Sequence, residues 1–500
     1  MGQVPALVAR NSDFLIEWNR SPLTKQQGMM RMGRKIIINP VTRISGFLEL
    51  DVTVEEDSVT DAKTKGMMFR GFEQMMKGRK PFDAIYLTQR ICGICSTAHS
   101  VGSSLALESA MKVQVEEQGK YLRDIIHGCE FLQNHLRHFY QYAVPDFVKM
   151  PQDHPLFTSD SGDYRLPEHI NADMVNHYFD SLAYSRLAHQ MLALFGGKAP
   201  HNHGVYVGGY TTPANAMKLI EAKSILQKIR GFIEGVMIPD TFLIAQYYPE
   251  YFEMGKGPGN LMSCGAFHGY EALGTLYTKP LVYLDKTNET LDFNADLITE
   301  NINYAWYEGK GTYKPFETMP EPDMEKENAY TWVKAPRYDG LPMEVGPLAR
   351  QWLSGRYRNG ISAMDRTIAR SLEARDIGKI ISTLLEQIVP DYMVQKEWEL
   401  PNSAEGYGLV ETTRGTLGHW LKIENGMISF YQIITPSAWD FSASDGNFKG
   451  TAEQAVIGTK LLNPAQPNEL GRILRSFDPC MSCATHVYQH GKNTTTIQVF

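Results

Sequence analysis

"RICGICSTAH", residues 90 to 99, sets Cys92 and Cys95 three positions apart with His99 four beyond the second. "DPCMSCATH", residues 478 to 486, repeats the pattern with Cys480, Cys483 and His486. These pairs use four of the chain's 6 cysteines, and Cys129 and Cys264 stand alone. A redox dithiol of the thioredoxin kind needs one CxxC in a strand–helix–strand setting, so a doubled pattern with histidines weighs against it. A structural zinc site gathers its pairs within one short segment, whereas here nearly the whole chain lies between them. Closing four thiols on one centre would tie both ends of the chain together inside the fold, which suits a catalytic metal better than a zinc staple. Thiolates select zinc, iron or nickel over magnesium or calcium. Asp478, His99 and His486 add proton-active groups beside that centre, for which a structural zinc has no need.

Several elements must position these residues. From Ser100 to about Val113 good helix formers follow a serine-rich start, so Cys95 falls near a helix N-terminus, where backbone N–H groups and the helix dipole favour thiolate. Residues 121 to 142 carry Leu122, Ile125, Ile126, Cys129, Leu132, Leu136 and Phe139 at helical spacing, which predicts a long buried helix. Further helices are expected at 171 to 195, 214 to 247 and 347 to 389. Residues 34 to 73, rich in Ile, Val, Thr and Phe, read as a small sheet, and "LGHWLKIENGMISFYQIITPSAWDF" as a hairpin turning at "ENG". The stretch 300 to 345, richer in Pro, Gly and charge, reads as a surface excursion. The expected fold class is α+β and predominantly helical: a central bundle of long helices, small β elements near the N- and C-terminal parts, and the two CxxC loops meeting at the core.

Composition removes other classes. The 500 residues are 43% hydrophobic and 21% charged, an ordinary globular balance, and a net charge of -7 argues against a nucleic-acid partner. Six cysteines in this length are too few for a disulfide scaffold. No apolar run is long enough to span a bilayer, so membrane association is expected only through a partner. Residues 1 to 30 lack the pattern of a secretory signal and read as an uninformative leader, Met29, Met30 and Met32 offering a later start.

Further motifs accompany the pairs: "FRGFE" at 69 to 73, "FGGKAPH" at 195 to 201, "YDGLPMEVGPLAR" at 338 to 350, "RGTLGHW" at 414 to 420 and "TPSAWD" at 435 to 440. Together, and in this order, they make the chain similar to the large, catalytic subunit of nickel-iron hydrogenases of the respiratory uptake type. The resemblance implies reversible heterolytic cleavage of H2, run mainly as oxidation, with a nearby base taking the proton. It implies nickel held by Cys92 and Cys480 as terminal ligands, with Cys95 and Cys483 bridging to an iron that carries carbon monoxide and cyanide. His99 would steady a bridging sulfur, Arg414 would hang over the open metal position with Asp478 as its companion, and Ser437 would bond a cyanide. Glu73, His486 and a backbone carbonyl from about Phe441 would hold a magnesium or ferrous ion. Read without the resemblance, Glu73 is a surface carboxylate beside Arg70.

Two positions depart from the family pattern. "RISGF" has Ser45 where relatives often have Glu as first proton relay, and Asn134 stands where many have Asp. The expected exit uses Ser45 with water, or a different route, with Cys92 or Cys480 as initial base. The resemblance further implies an iron-sulfur small subunit, a membrane cytochrome or quinone-linked acceptor, and nickel-insertion proteins. It implies a single catalytic domain over 31 to 486, and an endopeptidase that removes 487 to 500 after His486. The expected place is the periplasmic side, exported with the small subunit; the alternative is cytoplasmic. Competing functions are a hydrogen sensor, a non-catalytic structural relative, and a zinc-stapled structural protein.

Overall fold

The computed structural model describes residues 33–151, 162–274, 277–317, 320–395 and 397–484, with backbone alone at Cys483 and Ala484. The leader and the tail, His486 included, lie outside the described residues. Strands Arg34–Ile38, Leu48–Glu55 and Ser58–Gly66 form an antiparallel sheet. Leu48, Leu50, Val52 and Val54 bury one face in the core. Glu49 and Asp51 on the other face are buried too, and Lys65 satisfies both at 2.6 Å. The loop joining the first two strands carries Ser45.

Four long helices, Glu117–Arg137, Glu168–Gly196, Ala216–Phe232 and Ala363–Gln387, pack so that each touches two of the others. In the first of these the expected apolar positions are buried, and so are Arg123, His127, Glu130, Gln133, Asn134 and His135 between them. A helix buried all round must find internal partners for its polar groups, and those partners lead to the site described below.

Three expectations change. The stretch 214 to 247 divides into Ala216–Phe232 and Ile238–Tyr247 with a wide π-type turn, Ile233–Met237, between them. Pro239 cannot donate to the preceding turn, and the widened turn absorbs the missing bond. The stretch 347 to 389 is two helices, Pro347–Leu353 and Ala363–Gln387. Gly355, at φ 73°, ends the first, and a capping box starts the second: Asp365 N–H donates to Ser362 Oγ at 3.2 Å, and Ser362 N–H to Asp365 Oδ2 at 2.9 Å. The stretch 300 to 345 is only partly a surface excursion. Ile298–Asn301, Thr312–Tyr313 and Ala335–Tyr338 form a sheet, and Tyr330 to Tyr338 are buried. Its charges misled because they are paired internally: Lys334 with Glu300 at 3.2 Å and Arg337 with Asp445 at 2.5 Å. Leu261–Ser263, Leu281–Leu284 and Glu289–Asp292 make one more small sheet.

The expected hairpin is the second half of a three-stranded meander, Ser403–Thr412, Gly415–Glu424 and Met427–Ile434. Asn425 and Gly426, at φ 53° and 71°, make the tight turn that a two-residue hairpin requires. The meander lies against the helix Ser96–Met111. Contact is close enough that a Cβ on Gly408 would stand 2.4 Å from the Gly102 carbonyl oxygen.

Candidate metal centre

On the N-terminal side, Cys92 follows the short turn Thr88–Ile91, and Cys95 is the N-cap of Ser96–Met111. Its sulfur makes no cap bond. Instead Glu130, from the buried helix, accepts the N–H groups of Thr97 at 2.7 Å and Ala98 at 3.1 Å. A carboxylate from another element, not the N-cap cysteine, thus satisfies two N–H groups of the first turn. Burial pushes the Glu130 carboxyl up to about 7, against the pull of those donors.

On the C-terminal side, Cys480 and Cys483 flank and enter the short helix Met481–Ala484, which is held from far away in sequence. The N–H groups of Met481 and Ser482 donate to the Ser45 carbonyl at 2.6 and 3.4 Å, and Ser45 N–H donates to the Pro479 carbonyl at 3.2 Å. Cys480 N–H donates to Ser437 Oγ at 2.9 Å, which leaves the Ser437 hydroxyl proton for another acceptor. Arg70 joins the two loops: one guanidinium nitrogen donates both to the Ile91 carbonyl, next to Cys92, and to the Ser482 carbonyl at 2.5 Å.

As a result the sulfurs of Cys92, Cys95 and Cys480 lie within 4.8 Å of one another, all three residues buried. Cys92 and Cys480 approach to 3.3 Å and are not disulfide-bonded. The Cys483 side chain lies outside the described residues. Three buried soft donors at this spacing fit a thiophilic metal. Cys129 and Cys264 are buried apart from them, and desolvation drives both thiols far above their ordinary range.

Arg414 occupies the two-residue loop of the first meander hairpin, between paired Thr412 and Gly415. Its guanidinium donates to the Asp478 carbonyl at 2.8 Å, Asp478 Oδ1 at 2.9 Å and Asn134 Oδ1 at 2.8 Å. Asn134 Nδ2 donates to Asp478 Oδ2 at 2.7 Å, and Arg137 donates to Asn134 Oδ1 at 2.6 Å. An amide both donates to the carboxylate and accepts from two guanidinium groups here, which an ionised carboxylate in its place could not do. Burial disfavours charge on Asp478, yet Arg414, His138, Arg370 and Asn134 hold its carboxyl well below the usual range. Burial likewise opposes charge on Arg414, and Asp478 with the thiolates of Cys480, Cys95 and Cys92 outweighs it. His99, one turn along the helix from Cys95, is 1% exposed and meets His419 through its Nδ1 at 3.2 Å.

Glu73 is buried rather than on the surface, because it accepts Ile433 N–H at 3.0 Å and faces Lys334 Nζ at 3.5 Å. Lys334 also pairs with Glu300, so two buried carboxylates share one ammonium. Phe441, against another strand, accepts the Thr64 hydroxyl at 3.4 Å through its carbonyl. Glu130 and Arg70 escaped the sequence reading. The signal for Glu130 was an acid inside an apolar helix; for Arg70 it was membership of "FRGFE".

A helical core that brings both ends of the chain to a buried thiol cluster defines a large thiolate-metal subunit. The family model for nickel-dependent hydrogenases matches residues 70–156, 154–360 and 353–486. The chain is 34% identical over 491 residues to the periplasmic [NiFeSe] hydrogenase large subunit of Desulfomicrobium baculatum, spanning 91% of this chain and 95% of that one. It is 30% identical over 567 residues to the hydrogenase-2 large chain of Escherichia coli K12, spanning 94% and 100%. The fold matches the reduced, active Ni-Fe-Se hydrogenase of D. baculatum with a TM-score of 0.87 at 33% identity, covering 91% of this chain and 100% of that one. The reduced Ni-Fe-Se hydrogenase of D. vulgaris Hildenborough gives 0.86 at 36% identity, with the same coverage. The chain belongs to the nickel-dependent hydrogenase family. It is an enzyme's large, catalytic chain, and its reaction is that of a hydrogenase, with H2 as substrate.

Proposed function

We propose that Cys92, Cys95, Cys480 and Cys483 hold a nickel-iron centre, Cys92 and Cys480 as terminal and Cys95 and Cys483 as bridging ligands, and that the chain works mainly in H2 oxidation. The observation that carries this reading is the three-sulfur cluster beside a buried arginine–aspartate pair. When bound, the centre, its iron carrying carbon monoxide and cyanide, supplies the Lewis acid at which H2 is cleaved heterolytically. Arg414 keeps a fixed positive charge beside the sulfurs, and Asp478 and Asn134 hold its guanidinium in place. The Cys480 or Cys92 sulfur takes the proton first. Ser45 follows, its hydroxyl 3.4 Å from that of Ser482, so the exit begins with two hydroxyls and water. A hydroxyl passes a proton on but does not store it as a carboxylate does. With the centre bound, the remaining proton of Ser437 would be available to a cyanide ligand, and His99 would steady a bridging sulfur.

Glu73, His486 and the Phe441 carbonyl hold a magnesium or ferrous ion in this reading; two buried carboxyl groups, Glu73 and Glu300, facing the single ammonium of Lys334 are the observation that supports it. Electrons leave through an iron-sulfur small subunit, since no further cysteine cluster occurs in the chain to carry them. The periplasmic name of one relative and the name "quinone-reactive" for the Wolinella succinogenes large chain support a periplasmic, membrane-associated complex feeding a cytochrome or quinone. Among the described residues no helix is long and apolar enough to cross a membrane, so partners supply the attachment. Residues 31 to 486 are the mature domain, and an endopeptidase removes 487 to 500 after nickel-insertion proteins have acted.

The test is infrared absorption in the carbon monoxide and cyanide region, on protein matured with its small subunit, with nickel and iron counted in the same sample. Bands with both metals support the reading. Zinc or nothing in the thiolate site of a tail-processed chain overturns it.

A further inference from the structure

His99 ends a buried line of three hydrogen-bonding side chains that the site's assigned roles leave unused. His99 Nδ1 meets His419 Nε2 at 3.2 Å, and His419 Nδ1 meets the Tyr431 hydroxyl at 2.8 Å. His99 is 1% exposed and His419 and Tyr431 are 0% exposed. His419 lies on Gly415–Glu424 and Tyr431 on Met427–Ile434, where Tyr431 pairs with Leu421, so the two are diagonal neighbours on one face of the hairpin. That face lies on the helix carrying His99, and Gly102 leaves room for the ring: a Cβ there would stand 3.0 Å from His419 Cδ2.

Protons along such a line run in one of two directions. Burial keeps His419 neutral, so it owns one N–H and one lone pair. A thiolate cluster accepts hydrogen bonds and donates none. A neutral His99 that serves a sulfur carries its hydrogen on Nε2 and accepts at Nδ1. His419 must then donate from Nε2 and accept at Nδ1, where its hydrogen-bond partner among the described residues is the Tyr431 hydroxyl. We propose that Tyr431 and His419 are positioning residues that lock His99 as its Nε2–H tautomer and so keep it a donor to the metal-bound sulfur. The inference rests on the proposed place of His99 beside a bridging sulfur. Tyr431 acts at two residues' remove, through a proton that cannot be replaced from solvent.

The test uses the matured complex with its small subunit and compares His99→Ala, Tyr431→Phe, His419→Leu and His419→Gln by metal content, infrared band positions, and kcat against KM for H2. Expected in Tyr431→Phe and His419→Leu are native nickel and iron, and a carbon monoxide band moved to lower wavenumber in the same sense as in His99→Ala. With them goes a kcat lowered by about tenfold, the weight of one hydrogen bond, and an unchanged KM. His419→Gln, whose amide both accepts and donates, should return the band towards its native position. Bands unmoved in Tyr431→Phe and His419→Leu but shifted in His99→Ala would overturn the inference and leave the role of His99 standing. Bands unmoved in His99→Ala would overturn both. Should His419→Leu fail to mature, Tyr431→Phe, which removes only an oxygen, and His419→Gln still decide.

Discussion

The two cysteine loops reach the same point by opposite means. Cys95 opens a 16-residue helix that forms through local bonds and needs one outside group, Glu130, to finish its first turn. Cys480 precedes and Cys483 lies within a four-residue helix anchored by Ser45, Ser437 and Arg70, all from distant segments. Local order sets the first half, and long-range contact sets the second. Damage to the second half should therefore spread further through the molecule.

Asp478 offers the strongest way to break that contrast. It sits at φ 60° at the entrance to the second loop and neutralises Arg414, whose side chain is 2% exposed. Asp478→Ala leaves a buried guanidinium without its carboxylate, at a cost of about 3–5 kcal/mol. Denaturant unfolding should record that loss, and turnover should be abolished. A loss under about 1 kcal/mol would mean that Asn134 and backbone carbonyls suffice to hold the arginine.

Glu130 tests the first half through pH. Its folded pKa is raised from 4.5 to about 7, so its favourable contribution is complete below 4.5 and disappears as pH rises through about 7. Over that window the contribution amounts to about 3 kcal/mol. Glu130→Gln should flatten the stability profile between pH 4.5 and 7.5, read from thermal unfolding of both chains. Parallel profiles would mean that the carboxylate is ionised throughout, held by the N–H groups of Thr97 and Ala98. Arg70→Ala touches both loops at once. Loss of its three carbonyl contacts, to Arg90, Ile91 and Ser482, should cost about 1–3 kcal/mol and speed nickel release to a chelator. Release at the native rate would separate the clamp from the metal.

What the sequence made legible follows the same division. Cysteine spacing and the helix after Cys95 are local patterns, and both were readable. Glu130 and Arg70 act through contacts 33 and 412 positions away, which no periodicity records. The strand Ser403–Thr412 went unread for a related reason: Gly406 and Gly408 look like strand breakers, yet the helix backbone leaves room for no side chain there. The charges of Lys334 and Arg337 suggested solvent because their partners, Glu300 and Asp445, come from other segments. The departure at Asn134 was visible, but its use was not. Its amide bridges Arg414, Arg137 and Asp478, and that geometry belongs to the assembled core.

Ser45 divides the comparison most finely, because one residue does two separable things. Its N–H and carbonyl anchor the C-terminal loop, while its hydroxyl lies 3.4 Å from that of Ser482. Ser45→Ala keeps the backbone anchors, so stability should change by no more than about 0.5 kcal/mol. If the hydroxyl carries the outgoing proton, hydrogen–deuterium exchange with solvent should slow several-fold while metal content stays native. Ser482→Ala should slow it by a similar factor, and the double variant by no more than either alone, because two steps in series fail together. Additive losses would place the serines on separate routes. Full exchange in Ser45→Ala would remove the hydroxyl from the path and leave Ser45 with its backbone role, as a distant anchor of the loop that local structure cannot hold.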